Sequence, residues 1–108
     1  MDSLEELKKA IDTFNKERDW DQFHTPENLA KSISIEAGEL LECFQWSGKD
    51  YDIGNVREEL ADVFSYCIQM AMVLDLDIRE IVLSKIEKTA AKYPVEKARG
   101  SAVKYDRL

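Results

Sequence analysis

The 108-residue chain predicts an all-α fold, a bundle of four helices, on three observations. Apolar residues recur every three or four positions in four separate stretches. Each stretch opens on a residue able to cap a helix and is closed by turn residues or proline. No stretch alternates apolar and polar residues as a strand with one buried face does. The connections are short enough to favour antiparallel neighbours around one core, so a single domain covering residues 1–108 is expected.

The first helix has Ser3 as N-cap and Glu6 three residues on, a capping box, and Leu4, Leu7, Ile11 and Phe14 keep the helical period to about Lys16 or Arg18. ERDWDQFHTP then breaks the pattern and gathers Trp20, Phe23 and His24 ahead of Thr25-Pro26, an N-cap followed by proline at the first helical position. Large aromatics in a loop either fold back on the core or line a pocket. The second helix is expected from Pro26 to about Trp46, with an apolar stripe of Leu29, Ile33, Ala37, Leu40 and Phe44. SGKDYDIGN connects it to a third helix, for which Asn55 and Glu58 offer another capping box. From Val63 to Leu74 that helix is apolar on nearly all sides and needs neighbours on all sides, which makes it the candidate subunit interface. Asp77 with Glu80 caps the fourth helix. Its Ile78, Ile81, Val82, Leu83 and Ile86 are expected in the core, with Lys85, Lys88 and Lys92 on the other side and Pro94 as the stop. The polar tail after Pro94 reads as frayed.

A chain of this size has a modest core and gains by burying more surface, so at least a dimer is expected. The net charge of −7 disfavours a surface for nucleic-acid polymers, but it is unevenly spread. Residues 1–84 carry 8 Lys and Arg against 19 Asp and Glu, a net of −11, whereas 85–108 carry 7 against 3, a net of +4. Cys43 and Cys67 both fall in apolar helical pattern and read as reduced core thiols of a cytoplasmic protein. The start, MDSLEELKK, lacks the basic and apolar segments of a secretory signal, and no membrane span or membrane partner is expected.

The chemistry is concentrated between Glu36 and Asp62. Glu36/Glu39 and Glu59/Asp62 are each spaced three apart, which puts both carboxylates of a pair on one helix face. Two such helices side by side would aim four acidic groups into one cleft, and repulsion and lost hydration then call for a cation. Acidic pairs at this spacing also occur on ordinary solvated helix faces. Here, however, Glu36 falls within the apolar stripe of its helix and Glu39 at its edge, where an unpartnered charge is rare. The single His24 lies outside both pairs and the two cysteines form no C-x-x-C, so a Glu-x-x-His di-iron site and a thiolate zinc site both lack ligands. An all-oxygen cage suits Mg²⁺ or Mn²⁺, and Mg²⁺ commonly completes its shell with substrate phosphates. Hydrolysis at a phosphate follows as the chemistry suggested.

In this setting ERDWDQFHTPENL, EAGELLECFQW, EELADVFSY and KYP with the RGSAVKY tail occur in order over nearly the whole chain. Together they resemble the MazG-like all-α nucleoside triphosphate pyrophosphohydrolases, and within them the dCTP pyrophosphatase branch. The resemblance implies a homodimer or homotetramer of helical bundles that hydrolyses a nucleoside triphosphate to monophosphate and pyrophosphate with Mg²⁺. It implies metal ligation by Glu36, Glu39, Glu59 and Asp62. It also implies that Trp20, His24, Trp46 and Tyr66 surround base and sugar, in agreement with stacking of bases on aromatic faces. Lys85, Lys88, Lys104 and Tyr105 would reach the phosphates. The competing roles are core packing for the aromatics and a solvated face for the lysines.

The expected reaction is attack of a metal-bound water on the α-phosphorus, with Glu39 at the rim of the stripe, rather than Glu36, orienting the water or taking its proton. dCTP or a modified dCTP is the expected substrate and clearance of unwanted nucleotides the expected use. Two other readings stand beside it: the same chemistry on dUTP or another non-standard triphosphate, and a non-catalytic dimeric adaptor whose acidic cleft binds a basic partner.

Overall fold

A computed structural model describes residues 2–108. In order, the elements are α1 (Ser3–Glu17), a 3₁₀ turn (Asp21–Phe23), α2 (Pro26–Glu42), α3 (Ile53–Val73), α4 (Ile78–Lys92), a single-turn α5 (Val95–Ala98) and a 3₁₀ turn (Tyr105–Arg107). The chain is all-α, with the four long helices expected and no strand among the described residues. No helix is long and apolar enough to cross a membrane. Two compact units divide the chain, one ending at Leu76 and one formed by Asp77–Leu108.

In the first unit α3 packs against both α2 and α1. Leu29, Ile68 and Ala71 are the buried apolar residues, and the buried Asn15 and Gln69 join them. Thr25 caps α2 as expected, its hydroxyl accepting from the Asn28 amide at 3.2 Å. Two other caps differ from expectation. Asp2, not Ser3, caps α1 by accepting from the Glu5 amide at 2.8 Å. Asp52, not Asn55, caps α3 by accepting from the Gly54 and Asn55 amides at 2.8 and 3.4 Å. In both cases a carboxylate lies just upstream, and it adds charge against the helix dipole to the hydrogen bond a neutral cap would make. Gly54 makes room for the Asp52 cap, since a Cβ there would lie 3.1 Å from the capping oxygen.

The second helix stops at Glu42, short of Trp46, because Cys43, Phe44 and Gln45 donate to carbonyls three residues back and tighten the chain out of α pitch. The loop after α1 folds back on it. Trp20 sits edge-on to Phe14 at 5.6 Å and Arg18 stacks on Phe14 at 3.7 Å. Asp19 and Asp75 both take left-handed backbone (φ 54° and 53°) just past the ends of α1 and α3. Each lets the next amide reach back five residues, Trp20 to Asn15 at 3.0 Å and Leu76 to Ala71 at 2.8 Å.

The second unit corrects two expectations. Ile81, Val82, Leu83 and Ile86 of α4 are exposed and not core residues. Helical periodicity says that a face will be covered, but not that the same chain covers it. The tail is not frayed either: Tyr105 packs edge-on against Tyr93 at 6.0 Å beneath the Lys92 ammonium, and Gly100 supplies a left-handed turn (φ 76°) on the way back. Nor are both cysteines core thiols: Cys43 is half-buried and Cys67 exposed, because α3 is covered by its own chain on only part of its circumference.

Candidate active site

The two acidic pairs meet. Glu36 and Glu39 on α2 and Glu59 and Asp62 on α3 each offer a carboxylate oxygen, and the four oxygens lie within 4.8 Å of one another. Glu36 and Glu59 are half-buried, and Oε2 of each is buried without a hydrogen-bond partner. Glu39 and Asp62 are exposed at the rim. Among the described residues no lysine or arginine forms an ion pair with any of the four.

Such crowding has to be relieved by a proton or a cation. The Glu36 carboxyl is pushed up to about 7, first by a hydrogen bond shared with Glu39, then by burial, then by the charges of Glu39, Asp62 and Glu59. Glu59 is raised as well, first by burial, then by a hydrogen bond with Glu39 and the charges of Glu39, Asp62 and Glu42. The donor set is oxygen only, and two of its buried oxygens lack partners. The unpartnered oxygens fit a bound cation, and the oxygen-only donor set fits a hard divalent one.

Asp62 also belongs to a cavity of about 430 Å³ whose other walls are aromatic and polar, with Ala10 and Ile11 of α1 adding an aliphatic patch. Tyr66, one turn further along α3, faces it together with Phe14 of α1 and with Trp20 and His24 of the loop. The Nδ1 atom of His24 is buried without a partner. The structure therefore brings Trp20, His24 and Tyr66 beside a member of the quartet. Trp46 is not in this wall; it is 91% exposed after the end of α2. Lys85, Lys88, Lys104 and Tyr105 all lie exposed in the second unit, Lys85 beside an apolar groove along α4.

Sequence reasoning missed the polar floor of the cavity. Asn15 and Gln69 line it at 6% and 8% exposure, joined by a hydrogen bond from Asn15 Nδ2 to Gln69 Oε1 of 2.9 Å. Gln69 Nε2 also donates to Ser65 Oγ at 3.3 Å. A signal for them was present: Asn15 follows Ile11 by four positions on the apolar stripe of α1, and Gln69 interrupts the apolar run of α3 seven residues after Asp62.

Comparison with known proteins gives this geometry a context. The chain is 38% identical over 116 residues to dCTP pyrophosphatase 1 of Mus musculus, covering 98% of this chain and 68% of the mouse protein. Its identity to dCTP pyrophosphatase 1 of Homo sapiens is 37%, with the same coverage. A crystal structure of a pyrophosphatase from Archaeoglobus fulgidus superposes with a TM-score of 0.82 at 40% identity, over 87% of this chain and 94% of that one. The family model described as MazG-like matches residues 31–108, a span that holds all four carboxylates. The chain belongs to the MazG-like family.

Proposed function

We propose that this nucleoside triphosphate pyrophosphatase acts on dCTP or a modified dCTP with the help of Mg²⁺ or Mn²⁺, and that it works as a homo-oligomer. One observation carries the reading: Asp62 belongs at once to the carboxylate quartet and to the aromatic cavity. A nucleoside in that cavity would have its nearest phosphate, the α-phosphate, against the carboxylates. The relatives named dCTP pyrophosphatase 1 support the choice of base.

Glu36, Glu39, Glu59 and Asp62 would hold the metal, which when bound supplies positive charge for phosphate oxygens and a water of lowered pKa. Trp20 and Tyr66 offer ring faces and edges to the base and sugar. Glu39 would orient the attacking water or accept its proton, a role supported by its exposure at the rim with Glu36 half-buried behind it. The exposed apolar residues of α3 and α4, Phe64 and Ile86 among them, support a second copy as neighbour.

Hydrolysis in ¹⁸O-enriched water tests the reading. Label is expected in the nucleoside monophosphate alongside unlabelled pyrophosphate; nucleoside diphosphate with labelled orthophosphate would overturn it. Glu59→Gln and Asp62→Asn are each expected to cut turnover by roughly a hundredfold or more, since even groups that only support a metal ligand are worth about ten- to a hundredfold. A panel containing dCTP, modified dCTP and dUTP separates the substrates.

A further inference from the structure

The buried amide pair at the cavity floor does not serve the core in any evident way. Side chains buried this deeply ordinarily have their hydrogen-bonding groups paired, and an apolar pair of the same shape would fill the same space without that demand. An Asn and a Gln side chain together offer four N–H donors and two carbonyl acceptors. Their mutual bond uses one donor and one acceptor, and the bond to Ser65 uses a second donor. The Asn15 carbonyl, the second N–H of Asn15 and an N–H of Gln69 are left over, and both residues line a cavity that also holds Phe14, Trp20 and Tyr66.

An adjacent acceptor and donor complement the edge of a nucleobase. The acceptor suits the exocyclic amine of cytosine and the donor its ring N3; with the roles exchanged, the same two groups suit the N3–H and O4 of uracil. We propose that Asn15 and Gln69 are the specificity-determining residues of this site and read the hydrogen-bonding edge of a pyrimidine base held by Trp20 and Tyr66. The inference rests on the nucleotide site proposed above but concerns recognition and not chemistry. A pocket that stacks a base accepts any base, since all have π-faces. A pocket with buried hydrogen-bonding groups rejects the base that leaves them unpaired.

The test is equilibrium binding of dCTP, dUTP and the triphosphate of 2-pyrimidinone deoxyriboside, which lacks the exocyclic group at C4, to the wild type and to Asn15→Leu/Gln69→Met. The wild type is expected to prefer one natural pyrimidine over the 2-pyrimidinone analogue by about ten- to a hundredfold, the value of one or two well-made hydrogen bonds. In the double variant that ratio should fall to near one, with affinity for the analogue retained. A wild type without preference, or a variant that keeps the preference while only its melting temperature moves, overturns the proposal. Should the variant not fold, the side-chain amide signals of Asn15 and Gln69 in ¹⁵N-labelled wild type decide: they shift with the preferred nucleotide and not with the analogue, or the proposal fails. Discrimination without hydrolysis would sink the pyrophosphatase reading alone, and hydrolysis without discrimination would sink this inference alone.

Discussion

Glu36 shows what a single carboxylate does when three others surround it. Its carboxyl rises from an ordinary 4.5 to about 7 in the folded chain, so between those values the native state holds a proton that the unfolded state has released. The sign follows from linkage: stability contributed by that proton is fully present below 4.5 and is lost as pH rises through about 7. Urea midpoints of the metal-free protein should therefore fall across that window, and Glu36→Gln should flatten the decline. Saturating Mg²⁺ should remove it too, because a ligated carboxylate gains nothing from a proton. A midpoint that rises with pH in the metal-free wild type would contradict the raised value. The spacing of these residues made them legible from sequence, since three positions on a helix fix a shared face whatever packs there. Asn15 and Gln69 were less legible: one polar residue in an apolar run could equally face solvent, and only the packing of α1 on α3 shows that it does not.

At the scale of elements, the four long helices and most of their ends were readable because periodicity and caps are local. The caps that moved, Ser3 to Asp2 and Asn55 to Asp52, moved to a nearby carboxylate whose charge the capping-box pattern does not weigh. The left-handed aspartates had no such signal, as neither is the glycine that normally ends a helix this way. Left-handed backbone costs a residue with a Cβ about 1–2 kcal/mol, and less for Asp. Asp75→Gly should accordingly stabilise the chain by about 0.5–1 kcal/mol in urea unfolding. Asp19→Gly should gain less, because Asp19 Oδ2 accepts from Gln22 Nε2 at 3.0 Å. No gain at Asp75 would mean that its side chain supports the turn in a way the backbone conformation does not reveal.

For the whole molecule, what remains unfinished is its apolar surface. Phe64 in the middle of α3 is 60% exposed and Ile86 in the middle of α4 57%. Helices whose centres are apolar and exposed are poor solvated surfaces, and a second copy of the chain is the partner always available. Sedimentation velocity should show a dimer or larger species, and Phe64→Glu or Ile86→Glu should shift it toward monomer. A monomeric wild type would contradict the oligomer. The sequence announced the α3 part of this surface, apolar on nearly all sides from Val63 to Leu74, but it assigned the apolar face of α4 to the core, because the period of a helix is the same in a core and in an interface.

The two tryptophans differ in a way that can be seen in solution. Trp20 is 44% exposed and packs against Phe14, on which Arg18 also stacks, whereas the indole of Trp46 is 91% exposed. Intrinsic emission is thus split into a partly covered and an almost fully open component, and an iodide quencher should strip the Trp46 share first. If added nucleotide protects that share at constant protein concentration, the ring is covered by substrate. If protection instead follows protein concentration with no nucleotide present, a neighbouring chain covers it.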